Sequence, residues 1–207
     1  MVKHNDYEKK RKEQIENGAK GKKLLLHACC APCLTACIER LVNDFSVTVY
    51  FYNPNMDSKE EYDKRLNELK RFLSEAYGED VGLIYEEYDA DEYYNAVKGY
   101  EQCKEGGARC EKCFRLRLEK TAEVALMRGF DYFTTTLTVS PYKNAVLLNE
   151  TGERIAKQVN VGWLYADFKK ANGYLRSIEL SRKYNLYRQN YCGCVFSVES
   201  EKERTIK

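Results

Sequence analysis

Five segments of the 207-residue chain have the composition of β-strands, and they are spread along most of its length. Residues 23–28 form a short apolar run, and residues 47–52 are β-branched and aromatic. Weaker patterns of the same kind occur at 83–85, 132–136 and 163–165. The chain is therefore predicted to contain five strands separated by longer stretches.

Helical patterns fill the stretches around and between those strands. A charged helix is predicted over residues 3–17. Ser58 and Glu61 form a capping box that opens a second helix, in which apolar residues recur at helical spacing. Residues 111–128 form another long helical pattern, which ends at Gly129.

Strands that alternate with helices predict the α/β class, with a mostly parallel sheet and helices on both faces. We assign residues 23–198 to one such domain with a helical C-terminal part, residues 1–22 to a charged helical extension and residues 199–207 to a charged tail. Ligands of open sheets bind beyond the carboxyl ends of the strands. The residues that follow the predicted strands are Cys29 and Cys30, Asn53, Asp89, Thr135 and Thr136, and Asp167. A polar, thiol-bearing metal site is expected at that edge.

The nine cysteines are the main chemical signal, because most of them fall in three close groups. These groups are Cys29, Cys30 and Cys33; Cys110 and Cys113; and Cys192 and Cys194. Cysteines so near in sequence close loops too short to staple the chain, so a disulfide framework is not favoured. Grouped thiols usually bind a metal or carry redox chemistry.

The first two groups together supply four thiolates. Cys29 and Cys30 follow a predicted strand, and Pro32 stiffens the turn behind them. Cys110 and Cys113 open a helix, whose amide groups and dipole are expected to stabilise thiolates and lower their pKa values. Four thiolates satisfy either zinc or a 4Fe-4S cluster, and the spacing does not choose between them.

The third group suggests a redox pair. A disulfide between Cys192 and Cys194 closes a small, strained and easily reduced ring, and Gly193 gives the backbone the freedom for it. The pair either cycles between dithiol and disulfide or binds a second metal. A structural zinc pair is the plainer alternative.

The net charge of +2 hides an uneven distribution. Residues 57–92 carry 5 basic and 13 acidic side chains, whereas residues 169–188 carry 6 basic side chains and 1 acidic one. In the second segment tyrosines interleave with the basic residues, as suits a single-stranded nucleic acid with its phosphates and stacking bases. The alternative is that these charges only decorate solvated helix faces.

The chain has neither an apolar run of about 18 residues, as a membrane span requires, nor an apolar signal-peptide core near its start. We therefore expect a cytoplasmic protein without a membrane segment, whose thiols stay reduced.

Five motifs give the chain a family resemblance. They are LLLHACCAPC at 24–33, FYNPNM at 51–56, RCEKCFRLRLEKTA at 109–122, FTTTLTVSPYKN at 133–144 and LYRQNYCGCVFS at 186–197. In these motifs the chain resembles the epoxyqueuosine reductases of the QueH family, over nearly everything from Lys23 to Ser197. That family is itself similar to Rossmann-like domains of the adenine nucleotide hydrolase type, in agreement with the strand and helix pattern.

The resemblance implies a cobalamin-independent, iron-sulfur oxidoreductase that removes the epoxide oxygen of epoxyqueuosine at the wobble position of tRNA. This reaction is the last step of queuosine synthesis. The implied ligands of a 4Fe-4S cluster are Cys29, Cys30, Cys110 and Cys113, and the implied redox-active pair is Cys192 and Cys194. The implied partners are tRNA and an electron donor that the sequence does not identify, and the oligomeric state is likewise left open.

We further hypothesise a second iron that acts as a Lewis acid on the epoxide oxygen. Its candidate ligands are Cys33, Cys192, Cys194 and Asp89, and Asp167 is a candidate catalytic proton donor. Both aspartates are also ordinary turn or cap residues in such positions.

Six basic residues are the candidate contacts to the tRNA phosphates: Arg115, Arg117, Lys169, Lys170, Arg176 and Arg188. Two other functions stay open. One is a zinc-stabilised RNA-binding module without catalysis, and the other is a thiol-disulfide oxidoreductase that works through Cys192 and Cys194.

Overall fold

The computed structural model describes residues 6–189 and 191–198. The five strands are Lys23–His27 (β1), Ser46–Phe51 (β2), Gly82–Tyr85 (β3), Tyr132–Thr135 (β4) and Gly162–Trp163 (β5). The helices are Tyr7–Gln14 (α1), Ala31–Ile38 (α2), Lys59–Tyr77 (α3), Ala90–Val97 (α4), Ala108–Met127 (α5), Ala145–Val159 (α6) and Gly173–Lys183 (α7). A π-helical turn, Ile15–Ala19, continues α1, and a 3-10 turn, Thr136–Val139, follows β4.

The strands form one parallel sheet in the order β3-β2-β1-β4-β5. β1 is its centre, with Leu25 paired to Thr48 of β2 on one side and to Phe133 of β4 on the other. The chain moves outwards from β1 in both directions, so the strand order reverses between β1 and β4. A ligand site is expected at this point.

Side chains of β1 alternate between two apolar cores, one on each face of the sheet. Leu24 and Leu26 belong to the core that α2 and α3 cover, whereas Leu25 belongs to the core that α5 and α6 cover. All three leucines are fully buried, and burying each stabilises the fold by roughly 1.5–3 kcal/mol. The predicted parallel sheet with helices on both faces is confirmed.

The predicted strands and long helices lie where the sequence pattern suggests, with ends shifted by a few residues. The helix α4 is an addition, because its eight residues, ADEYYNAV, are too few to show a clear helical period. The charged helix α1 packs onto the domain through Tyr7, which is buried, and through Gln14, which donates a hydrogen bond to the carbonyl of Trp163. The predicted tail at 199–207 lies outside the described residues.

Among the helices of the described ranges, not one combines the length and apolar character that crossing a bilayer demands.

Candidate thiol and metal site

A cavity of about 570 Å³ lies at the carboxyl edge of the sheet, where β1 and β4 are neighbours. Three kinds of side chain dominate its lining. They are the thiols Cys29, Cys33 and Cys192; the cations Arg65, Arg117, Lys143 and Arg188; and the rings of Tyr142, Tyr174 and Tyr191. The predicted thiol-bearing edge of the sheet is therefore a real concave site.

The first cysteine group is built by the junction between β1 and α2. β1 ends at His27, Cys30 is the extended residue before α2, and Cys33 lies in the first turn of the helix. The Sγ atoms of Cys29, Cys30 and Cys33 all lie within 4.8 Å of one another, and those of Cys29 and Cys30 are 3.8 Å apart. The first motif thus gathers three thiols at one point.

Hydrogen bonds among these three thiols separate their pKa values. Hydrogen bonds from Cys30 and Cys33 hold the pKa of the Cys29 thiol well below its usual range, and the nearby cations Lys143 and Arg117 act in the same direction. The same hydrogen bonding raises the pKa of Cys30 to about 11 and raises that of Cys33 well above its usual value. Cys29 is therefore the thiol of the group that most readily loses its proton.

The second cysteine group lies on the first two turns of α5. Cys110 packs against the apolar cluster that contains Cys29 and Cys30, and the amide of Gly106 lies 3.2 Å from its Sγ atom. Cys113 is buried one turn further along the helix. These two thiols lie beside the first group but are not part of its tight cluster of three.

The expectation that the start of α5 lowers the pKa values of these two thiols is wrong. Burial raises the pKa of Cys110, and it raises the pKa of Cys113 to about 12. Desolvation of a thiolate outweighs the stabilisation by a helix terminus at this depth. Without a metal ion, both groups are therefore neutral thiols at physiological pH.

The third cysteine group reaches the same region from the C-terminal segment. Cys194 packs with Cys113 and Tyr93 in a small apolar cluster, and the Tyr93 hydroxyl is hydrogen-bonded to Cys194. Cys192 is half-buried and lines the cavity. The C-x-C turn thus lies beside the first and second cysteine groups at the cavity, although it is far from them in sequence.

Arg117 of α5 is a fully buried arginine next to the cysteine groups. The Nη2 atom of Arg117 donates to Asn53, and its Nε atom lies 3.4 Å from Nε2 of His27. Burial by itself lowers the pKa of Arg117, but the thiols of Cys113 and Cys29 raise it above its usual value. Arg117 is therefore a fixed positive charge between the first two cysteine groups.

His27 is the neutral part of this network. Its Nδ1 atom lies 2.8 Å from Thr135 Oγ1, and its Nε2 atom lies 3.1 Å from the carbonyl oxygen of Tyr52. Burial, together with the charge of Arg117, lowers the pKa of His27 to about 3. His27 is therefore a buried core residue whose two ring nitrogens both have polar partners.

Two predicted acidic residues lie away from the cavity. Asp167 lines a different cavity, between α1 and α2, and forms an ion pair of 2.9 Å with Lys169. Asp89 caps α4 by accepting a hydrogen bond from the amide of Asp91, and it is not part of the cavity lining. Their positions favour structural roles over a direct role at the thiols.

The six predicted tRNA contacts fall into different environments. Arg188 lines the thiol cavity and lies over the Tyr174 ring. Arg117 also contributes to the cavity lining, but its side chain is buried. The other exposed or half-exposed cations already have partners: Arg115 pairs with Glu119, Arg176 with Glu39 and Glu179, and Lys169 with Asp167. Lys170 lines the cavity between α1 and α2.

Sequence reasoning missed two cations of the cavity. Lys143 follows Ser140 and Pro141 in the loop after β4 and is half-buried, and the thiols Cys192 and Cys29 raise its pKa although desolvation lowers it. Arg65 is buried on the apolar face of α3, between Tyr62 and Leu69. A cation inside the apolar stripe of a helix was the signal for Arg65.

The donor set fits a metal or an iron-sulfur cofactor. Thiols are the ligands that iron-sulfur clusters and zinc take, and the three groups offer seven of them in one region. The fixed cations Lys143 and Arg117 offset the negative charge of metal-bound thiolates. The two predicted oxygen donors, Asp89 and Asp167, do not line this cavity.

Comparison with known proteins points to one family. The family model "Epoxyqueuosine reductase QueH" matches residues 24–200. The protein named epoxyqueuosine reductase QueH from Streptococcus pyogenes is 43% identical over 181 residues, which cover 86% of this chain and 71% of its own length. Proteins of the same name from Staphylococcus epidermidis and Thermotoga maritima are 43% and 38% identical, covering 89% and 87% of this chain and 79% and 93% of their own lengths. The chain therefore belongs to the epoxyqueuosine reductase QueH family, and it is an oxidoreductase.

Proposed function

We propose that this enzyme reduces epoxyqueuosine to queuosine at the wobble position of tRNA, with an iron-sulfur cofactor. The observation that carries the proposal is the meeting of three cysteine groups, distant in sequence, around one cavity of about 570 Å³. That cavity also has fixed cations and aromatic rings for an anionic, base-bearing substrate. We also propose a cytoplasmic location, where its thiols stay reduced.

Cys29, Cys30, Cys110 and Cys113 are the proposed ligands of a 4Fe-4S cluster, and Cys33, Cys192 and Cys194 those of a second iron. Such a cofactor, when bound, supplies electrons one at a time and a Lewis acid for the epoxide oxygen. Cys33 shares a cluster of 4.8 Å with Cys29 and Cys30, and Cys192 lines the same cavity. We leave Asp89 and Asp167 out of the proposed metal site because of their positions.

The reaction needs two electrons and two protons, since the epoxide becomes an alkene and its oxygen leaves as water. If Cys192 and Cys194 cycle as a dithiol instead of binding the second iron, oxidation of their thiols to a disulfide releases two electrons and two protons, which matches this demand. Burial raises the pKa of Cys194 to about 11, so its Sγ atom holds a proton at neutral pH. An external electron donor then returns the pair to the dithiol.

The cations of the cavity hold the substrate and the charge that develops on its oxygen. Lys143 and Arg117 face the thiols, so they stabilise negative charge at this edge of the sheet. Arg188 with the ring of Tyr174 forms a polar and stacking wall, and the Tyr142 side chain, which is 83% exposed, forms part of the rim. These groups suit a nucleotide presented from a single-stranded loop.

The test is anaerobic purification of the full chain, followed by iron, zinc and sulfide analysis and by turnover of epoxyqueuosine-containing tRNA. We expect iron with sulfide, and queuosine detected by mass spectrometry of the digested nucleosides. Zinc alone and no conversion would support an RNA-binding module instead. Metal-free protein that reduces a disulfide substrate, but not the tRNA, would support a thiol-disulfide oxidoreductase.

The second iron is tested separately with Cys33→Ala and Cys194→Ala. We expect each variant to keep its sulfide content but to lose part of its iron and most of its turnover. Unchanged iron content together with unchanged turnover in both variants would remove the second iron from the proposal.

A further inference from the structure

Arg65 is the one fully buried cation of α3, and it reaches two different cysteine groups. Its side chain is 1% exposed, its Nε atom donates to Glu61 at 2.6 Å and its Nη1 atom donates to the carbonyl oxygen of Cys192 at 3.4 Å. The guanidinium also lies 5.2 Å from the ring of Tyr191. The Arg65 side chain therefore contacts both Tyr191 and Cys192, at the start of the C-x-C turn.

The same guanidinium interacts with the first cysteine group. It lines the cavity together with Cys29 and Cys33 of that group. The Nη2 atom is buried and has no hydrogen-bond partner among the described residues, and Arg65 forms part of the cavity lining. Arg65 thus connects the first and third cysteine groups across the cavity.

The turn is shaped to receive this side chain. Gly193 has a φ of 112°, and a Cβ atom at this position would lie 2.8 Å from Sδ of Met56 and 3.1 Å from Nη1 of Arg65. The carbonyl oxygen of Gly193 accepts a hydrogen bond of 2.7 Å from the amide of Asp57. A residue with a side chain is excluded here both by backbone strain and by contact with the residues that hold the turn.

Few further contacts hold the turn within the part of the chain that the structure describes. The amide of Cys192 donates to Ser197 Oγ at 2.9 Å, and the carbonyl oxygen of Cys194 accepts from the amides of Ser197 and Val198, so these bonds lie within the C-terminal segment itself. Among the described residues, the side-chain hydrogen bond from α3 to the backbone of the turn is that of Arg65.

We infer that Arg65 is a positioning residue that holds the Cys192–Cys194 turn closed against the thiol cavity. A guanidinium is required because its fork donates to Glu61 and to the Cys192 carbonyl at the same time. A lysine at this position keeps the charge beside Glu61 but does not make both bonds. The effect on turnover rests on the proposed function, whereas the effect on the accessibility of the thiols does not.

The experiment compares Arg65→Lys with the wild-type full chain, purified without oxygen and kept reduced. The alkylation rate of each cysteine by iodoacetamide is followed by peptide mass spectrometry. We expect Cys194, which is 7% exposed, to react at least about tenfold faster in the variant, because a bond from a charged donor contributes enough free energy for that change in the open population. The rate at Cys37, buried on α2, should not change.

Arg71→Gln is the matched control. Arg71 lies on the same helix and donates to the carbonyl oxygens of Tyr184 and Asn185, so it also ties the C-terminal segment to α3, but away from the cysteines. We expect this variant to leave the alkylation rate of Cys194 within about twofold of wild type, because any local opening caused by the loss of Arg71 lies away from the C-x-C turn.

With epoxyqueuosine-containing tRNA, Arg65→Lys should lower kcat at least about tenfold and change KM less, since displacement of a reacting group lowers the rate of the chemical step.

Equal alkylation rates at Cys194 in folded Arg65→Lys and wild type would overturn the inference, and so would an equal rise in Arg71→Gln. Gly193→Ala tests the same contact from the turn, without altering α3, and it should expose Cys194 in the same way. If Arg65→Lys does not fold, unchanged alkylation in Gly193→Ala overturns the inference. If wild type does not convert the tRNA but Arg65→Lys still exposes Cys194, the proposed function fails and the positioning role stands.

Discussion

The first and third cysteine groups reach the same cavity in opposite ways. Cys29 and Cys30 continue the central strand β1, whose backbone is bonded to neighbours on both sides and whose side chains are buried in two cores. Cys192 and Cys194 lie in a C-terminal turn, which side chains and loop amides hold in place. The first group is part of the fold, whereas the third is docked onto it.

This difference separates the effects that substitutions should have. Substitutions of buried residues around the first cysteine group should destabilise the fold and displace the thiols together, because the same residues pack the core and position the thiols. Changes around the third group should alter function with little loss of global stability, because few buried apolar contacts depend on the turn. The following experiments test that contrast.

The largest effect is expected from Cys30→Ala. Removing one thiol of the tight group should reduce iron content by more than half and turnover more than about 100-fold, because even an outer-shell change at a metal site costs about 10–100-fold. Cys37→Ala is the control, since that thiol is buried on the same α2 but donates only to the Cys33 carbonyl. Iron and sulfide analysis would contradict the cluster if both variants kept full iron content.

Arg117→Gln should have the next largest effect, now on stability. It leaves Asn53 with an unsatisfied buried acceptor and removes the positive charge beside Cys29, so we expect a loss of about 2 kcal/mol in the free energy of unfolding. Urea denaturation measures it. Arg115→Gln, two residues away on the same helix, breaks an exposed pair with Glu119 and should cost less than about 0.5 kcal/mol. Equal losses in both variants would refute the buried role of Arg117.

The buried His27, at the end of β1 beside the first cysteine group, should make the stability of the fold depend on pH. Its pKa in the folded protein is about 3, against about 6.5 in the unfolded chain, so the unfolded state binds one more proton between these pH values. Stability should therefore fall as the pH is lowered from about 6.5 towards 3, by about 1 kcal/mol per pH unit from this residue.

His27→Gln is the variant that isolates this contribution. Glutamine offers a donor and an acceptor to the Thr135 and Tyr52 contacts but does not titrate. Urea denaturation between pH 7.5 and 5 should show a shallower loss of stability in the variant. Identical slopes in the two proteins would show that His27 is not the titrating group.

The smallest effect is expected for substitutions of basic residues in the C-terminal segment, and it concerns tRNA affinity. Arg188 lines the cavity, so Arg188→Gln should weaken tRNA binding about threefold at moderate salt and lower the salt slope by about 1. Arg176→Gln should weaken it less, because Arg176 is already paired with Glu39 and Glu179. Affinity measured as a function of salt concentration decides this, and a larger effect at Arg176 would move the predicted interface to the outer face of α7.

Much of the fold was predictable because its signals are local. β-branched and aromatic runs marked the strands, and Ser58 with Glu61 marked the start of α3, where the Ser58 hydroxyl indeed accepts a hydrogen bond from the amide of Glu61. Helix α4 escaped prediction because eight residues hold too little of a helical period. Its helical state depends on Tyr93 and Val97, which are buried against the second and third cysteine groups.

The three cysteine groups, and the position of the first group at the carboxyl edge of the sheet, could also be inferred from sequence, since parallel strands end at the same side of a sheet. The roles of the charged residues could not. Arg115 and Arg117 look equivalent in the sequence, yet one is exposed and paired with Glu119 while the other is buried beside His27. Side-chain burial depends on which helix face meets the sheet, and the position of a charge in the chain does not record that.

The sequence by itself determined the α/β class, the family and the three thiol groups, because these follow from local composition, spacing and motifs. Only the tertiary structure decided that the pKa of Cys29 is lowered, that burial raises the pKa values of Cys110 and Cys113, and that Arg65 reaches the C-x-C turn. The physical reason is that desolvation and charge-charge interactions act through space. They are set by neighbours that lie far away along the chain.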